Sequence, residues 1–270
     1  MKQNTARLKL TSLFKKALGF GPLPRSFDQS VKLMVRAGLP LRIFKYMPPL
    51  RRITFNRMDD KYLGVYFPIR LASTPGTENE EFIQYGWDGK PYMMIFGYFP
   101  EEWVILHEFA HYIDDCFLRT IFKFDKRRGR NNHPLARLNP GQVEEFCDLK
   151  LKMRVEYEMA HGAAKYAVTQ MEGEETGNSV KWWRHISHEY VTYYAPSRYA
   201  FLTLDEWFAE SFQTWCIHGE TSTLPIKAPA TVRFLQYLCS EKIFENVEQE
   251  CDDFEASPLT FAPATAVGNS

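Results

Sequence analysis

No apolar run in the chain approaches the roughly 20 residues that a helix needs to cross a bilayer, so a helical membrane span is not expected. There is no excess of charge of either sign. Lys plus Arg total 33 and Asp plus Glu total 33, a balance that speaks against a nucleic-acid binder. The N-terminus lacks the uninterrupted apolar stretch of a secretory signal, because Lys2, Arg7, Lys9, Lys15 and Lys16 break it up. Cysteine is scarce. The five are Cys116, Cys147, Cys216, Cys239 and Cys251, an odd number with no C-x-x-C pair, which excludes a disulfide framework and points to a reducing, cytoplasmic setting. A protein exported without a cleavable signal would look the same. No internal repeat is present.

What is there is an ordinary globular composition, 45% hydrophobic and 15% aromatic over 270 residues, enough for a sizeable core. Segment 7–19 reads as a short basic amphipathic helix that packs on the domain, the alternative being a membrane-surface or partner-docking role. A helix is expected after Ser26, ending before Gly38 and Pro40. Three runs rich in β-branched and aromatic residues, Arg52–Asn56, Tyr62–Phe67 and Tyr92–Tyr98, read as strands. Residues 72–91 between the last two read as a loop. Residues 101–118 form the most hydrophobic helix. A basic stretch from Lys123 to Arg137 reads as an exposed loop. Helices then follow at about 142–171, 179–193, 204–218 and 229–244. Strands followed by helices make an α+β pattern.

The chemistry lies in His107-Glu108-Phe109-Ala110-His111, an H-E-x-x-H pattern. Residues four apart share one face of a helix, so both imidazoles can reach one metal with Glu108 beside them. Zinc suits two neutral imidazoles and a carboxylate, leaves a position for water, and lowers that water's pKa to about 7. Glu108 can take its proton and pass it to a leaving amine. The pattern alone is moderately specific, and its surroundings sharpen it. Val104, Leu106, Phe109, Ala110, Ile113 and Phe117 make the helix apolar nearly all round, yet His107, Glu108, His111, Asp114 and Asp115 gather on one stripe. Five ionisable groups on a buried helix need a compensating partner, and a metal ion is one.

A third protein ligand is expected from Leu204-Asp205-Glu206-Trp207-Phe208-Ala209-Glu210, where two carboxylates lie four apart on an apolar helix. One can bind zinc while the other accepts the free N–H of a ligand histidine. Thr203-x-x-Glu206 is also a capping box, which offers Glu206 a purely structural role. His161, His185 and His188 are weaker candidates. The compact third-histidine form is absent, since Tyr112-Ile113-Asp114-Asp115 follows His111.

Together, His107-Glu108-Phe109-Ala110-His111 and Glu206-Trp207-Phe208-Ala209-Glu210 resemble the gluzincin metallopeptidases, in particular the catalytic domain of anthrax lethal factor with its bacterial relatives and the Mlc-titration-factor peptidases. Asp114, three residues past the second histidine, matches the latter and is expected behind the ligands. The resemblance implies a zincin-like fold, one zinc per chain, and Glu206 as the third ligand, with Glu210 in the outer supporting role. It also implies an active-site tyrosine seven residues before that ligand, which is Tyr199. Residues 228–244 resemble the closing helix. The likeness spans 52–118 and 195–245.

It departs in spacing, because 94 residues lie between His111 and Glu206. The expected organisation is therefore a basic helical extension over 1–50, a peptidase domain over 51–250 with an insertion at 119–195, and a disordered tail over 251–270. An extended peptide or protein substrate is expected to pair with an edge strand near 62–67 or 92–98. An endopeptidase is favoured, since no motif for binding an N-terminal amine is apparent. The alternative is a non-catalytic regulatory protein of the same fold that acts by docking partners, a role that does not require Glu108.

Overall fold

The structure is a computed structural model that describes residues 2–19, 22–45, 47, 49–56, 63–67, 91–96, 101–118 and 140–244. It is mostly helical with one small mixed sheet, an α+β architecture. The strands are β1 (Arg52–Asn56), β2 (Gly64–Phe67) and β3 (Tyr92–Phe96), in the order β1-β3-β2. β3 runs parallel to β1 and antiparallel to β2. Its sequence Tyr-Met-Met-Ile-Phe is buried throughout, as a central strand covered on both faces requires. Side chains alternate. Met93 and Ile95 join Ile53 in the main core, while Tyr92, Met94 and Phe96 pack with Val65 on the opposite face. Of the two runs expected to offer an edge, the described part of 92–98, Tyr92–Phe96, is therefore interior. Among the described residues β2 pairs on one side only.

Two helices precede the sheet, α1 (Lys2–Leu18) and α2 (Arg25–Arg36). α1 buries Leu10, Phe14 and Ala17. Phe14 meets Phe27 of α2 edge-on at 5.3 Å and Phe109 of the motif helix at 5.2 Å. Residues 1–50 thus contribute to the core beneath the motif. α2 ends in a Schellman turn, with Gly38 N–H donating to Val35 and Leu39 N–H to Met34. Gly38 has φ +85°, and a Cβ there would lie 2.6 Å from the Cys239 carbonyl oxygen, so only glycine fits.

α3 (Glu102–Ile113) carries H-E-x-x-H and continues into a π-helical turn, Asp114–Leu118. α4 (Pro140–Glu172) buries Val143, Phe146, Met153, Tyr157, Ala164 and Val168, a stripe at helical spacing, against the same core. The described part of 119–195 is therefore built into the domain's packing.

The helix expected over 179–193 is broken. After a short α5 (Glu174–Asn178), a 3-10 turn at Trp182–His185 and α6 (His188–Tyr194) stand in its place. The break has local causes. Ser179 is extended, and the Ser187 hydroxyl accepts the Tyr190 N–H to start a new helix.

α7 (Leu204–His218) starts at Thr203, whose hydroxyl accepts the Glu206 N–H, and stops at Gly219 with φ +58°. Arg36 of α2 donates to the terminal carbonyls of Cys216 and Ile217, satisfying two end groups of α7. α8 (Leu224–Lys227) and α9 (Pro229–Leu238) follow. α9 is shorter than the expected 229–244, because the Ser240 hydroxyl turns the chain into a 3-10 segment at Lys242–Phe244. Glu156 of α4 accepts the N–H groups of Ala230 and Thr231, each at 2.9 Å, and the Thr231 hydroxyl. That hydroxyl in turn accepts the buried Trp207 indole N–H at 2.9 Å, so one hydrogen-bonded chain joins α4, α9 and α7. The loop at 72–91 apart from Pro91, the basic stretch 123–137 and the tail 251–270 lie outside the described residues.

Candidate metal centre

α3 and α7 pack face to face and bring their polar stripes together. His107 Nε2 and His111 Nε2 are 3.1 Å apart. Glu206 Oε2 lies 3.0 Å from the first and 3.4 Å from the second. On the far side of the ring, His107 Nδ1 is 2.9 Å from Glu210 Oε1. The Glu206 carboxylate thus turns toward the histidines even though Thr203 caps its backbone N–H, which leaves the capping-box reading half fulfilled.

The arrangement is a triangle of donor atoms. Glu206 Oε2 is buried, and neither it nor His107 Nδ1 finds a well-formed hydrogen bond despite the close approaches. Groups of this kind are costly to bury without a partner. A tetrahedral zinc with bonds of 2.0–2.1 Å would hold its ligand atoms about 3.3 Å apart. The observed edges of 3.0, 3.1 and 3.4 Å match that spacing. His107, His111 and Glu206 form the group of three that could hold a metal ion among the described residues. Two imidazoles and one carboxylate are also the donor chemistry zinc prefers. The residues fit the ion. Glu210 sits where an outer carboxylate would fix the tautomer of His107.

Glu108 lies beside the triangle and is 5% exposed. Burial pushes its carboxyl pKa up, while His107 and His111 pull it down. The backbone N–H of Tyr66 on β2 donates to it. Gly64, on the same strand, passes so close that a Cβ would stand 2.7 Å from Glu108 Cγ and Oε1. An isolated glycine inside a strand run signals such an approach, yet the sequence alone does not say to what. Tyr66 also donates its hydroxyl to Asp115 at 3.0 Å.

Tyr199, in a 3-10 turn at Tyr199–Phe201, has its ring 6.1 Å from that of His107. Burial and then the neighbouring Glu206 raise its pKa, which keeps the phenol protonated. Asp114 is buried and receives Lys150 Nζ of α4 at 2.9 Å, which ties the end of the motif helix to α4. His161 bonds the Phe201 carbonyl at 2.9 Å, a structural role, and neither His185 nor His188 joins the metal group.

The cluster also makes a pH prediction. Burial works to lower the pKa of His107, but Glu206 and Glu210 outweigh it and raise it; His111 is raised mainly by Glu206. Burial works to raise Glu206, and the two histidines outweigh it and lower it. A raised imidazole stabilises fully below its ordinary value of 6.5, and loses that as pH rises through its folded value. A lowered carboxylate stabilises above its ordinary 4.5, and loses that as pH falls through its folded value. In chelated protein both contributions coincide between 4.5 and 6.5. Ligation needs neutral imidazoles, so zinc should expel protons on binding at pH 7. Calorimetry in two buffers of different ionisation enthalpy should give different apparent heats; equal heats would contradict protonated histidines.

No protein-family model, curated protein or solved structure matches the chain. No helix among the described residues is long and apolar enough to cross a membrane.

Proposed function

We propose that the protein is a zinc-dependent peptidase of the gluzincin type with a zincin-like fold, acting within peptide chains. The observation that carries the reading is the donor triangle of His107, His111 and Glu206 with a buried Glu108 alongside. Zinc bound there would acidify a water molecule and polarise a substrate carbonyl.

The remaining chemistry belongs to the chain. Glu108 is held by the Tyr66 N–H and admitted by the missing side chain of Gly64. Its carboxylate takes a proton during attack and delivers it to the leaving amine. Tyr199 stays a neutral donor, suited to bonding the oxygen on which negative charge develops. Glu210 orients His107 from behind. β2 supplies the edge on which an extended substrate would lie. A protein that only docks partners has no need for a carboxylate packed in the place of Glu108, and this favours catalysis over the docking alternative.

The test is cleavage of casein by purified protein. Activity should vanish with chelator and return with zinc; chelator-insensitive cleavage would contradict the proposal. A narrower prediction concerns the phenol. Tyr199→Phe removes one oxygen and leaves the ring against His107 and Trp183. Turnover should fall by about 10²–10³-fold, with zinc content and melting temperature nearly unchanged. Unchanged turnover would remove Tyr199 from the mechanism, and a large loss of thermal stability would give its hydroxyl a structural role instead.

A further inference from the structure

The turn Trp182–His185 presents two tryptophans in opposite ways. Trp182 is buried and meets His161 edge-on at 4.9 Å, which anchors the turn to α4. Trp183 is half-buried and stands at 80° to the Tyr199 ring, 5.4 Å away. Tyr199 is itself 36% exposed and abuts His107. The exposed Arg184 guanidinium lies 5.3 Å from the centroid of the Trp183 ring. A continuous ledge therefore leads from a metal-ligand histidine through Tyr199 and Trp183 to a cation.

We infer that this ledge is a substrate subsite, taking an aromatic side chain next to the reacting carbonyl and an acidic residue farther out. The inference rests on the peptidase reading for its setting. Two rings at about 80°, both partly exposed, form a corner. A third ring can meet them in the stacked and edge-to-face geometries that aromatic pairs prefer, whereas an aliphatic chain gains burial alone. No carboxylate pairs with Arg184 among the described residues, and its planar fork suits one. The steps from Tyr199 to Trp183 and on to Arg184, 5.4 and 5.3 Å, correspond to at most about three residues of extended peptide. Trp183 and Arg184 lie in the segment that separates the two motifs, so they add to the site what the motifs do not carry.

The test reads binding rather than turnover. Zinc-loaded Glu108→Gln protein is titrated into fluorescein-labelled Gly/Ser peptides with a central Phe, Leu or Ala and with Asp or Lys three residues to either side. Fluorescence anisotropy gives the affinities. Phe peptides should bind about tenfold more tightly than Ala peptides. Adding Trp183→Ala should remove most of that preference, and Trp183→Phe should restore it. Trp183→Leu keeps the apolar volume and decides the matter if the alanine variant melts early; it should lose the preference for Phe over Leu. Arg184→Glu should reverse a preference for Asp over Lys of about two- to fivefold, an effect that fades with salt.

A Phe preference that survives Trp183→Ala at unchanged zinc content would overturn the ledge, as would failure of every peptide to bind. Equal binding of Asp and Lys peptides would overturn the part assigned to Arg184. Casein cleavage by wild type, run in parallel, separates the two proposals. Trp183-dependent binding without cleavage sinks the peptidase and keeps the ledge, and cleavage with Trp183-independent binding does the reverse.

Discussion

Glu108→Gln should leave a folded, zinc-loaded protein whose turnover is lower by about 10²–10⁴-fold, the range expected for loss of a general base. Glutamine has nearly the shape of glutamate. Its amide oxygen can still accept the Tyr66 N–H, and it still fits beside Gly64. It cannot take a proton at neutral pH. The change is favourable to folding in one respect, because burial disfavours the charged form of Glu108 and a neutral amide avoids that cost. The melting temperature should therefore hold or rise while turnover collapses. The measurement is kcat on a quenched fluorogenic peptide that wild type cleaves, with zinc determined on the same sample. Near-wild-type kcat would mean that another group moves the proton.

His107→Ala and His111→Ala should each strip the metal and abolish cleavage. Each removes one corner of the donor triangle and leaves two donors. Glu210→Gln provides the contrast. It keeps all three donors and only weakens the hold on His107 Nδ1, so zinc affinity should fall by roughly 10–100-fold without being lost. His107→Ala has a second consequence. Glu206 and Glu210 both approach His107, and without it two carboxylates face each other in a site that is 15% and 13% exposed at their side chains. The chelated variant should lose roughly 1–3 kcal/mol of stability relative to chelated wild type. Competition with a chromogenic chelator gives the affinities, and thermal melts give the stability. A Glu210→Gln variant that lost zinc as completely as His111→Ala would place Glu210 on the ion and Glu206 at the helix cap.

The parts of this site that were legible in the sequence share a property: their signals are local. The i, i+4 histidines share a helix face whatever surrounds them. Thr203 and Gly219 mark the ends of α7 at Leu204 and His218 without help from the rest of the chain. The apolar run Tyr92–Phe96 marks a strand buried on both faces, and it is one. What the sequence left open depends on distant partners. Two carboxylates four apart on α7 do not reveal which one meets Nε2 and which meets Nδ1; the crossing of α3 and α7 decides that. Gly64 could be read as a strand irregularity, but its meeting with Glu108 depends on how β2 lies along α3. Trp182 and Trp183 fall inside the single helix expected over 179–193, and the break at Ser179 and Ser187 places them in a 3-10 turn instead. Residues 1–50 read as an extension because their own pattern does not show that Phe14 ends against Phe109.

The most direct measurement is a zinc titration of chelator-stripped protein against cleavage of one peptide. The account predicts that activity rises in proportion to added zinc and saturates at one ion per chain, with Glu108→Gln binding the same single ion and remaining inactive. Cleavage that does not depend on zinc, or the absence of saturable zinc binding by the folded protein, would contradict it.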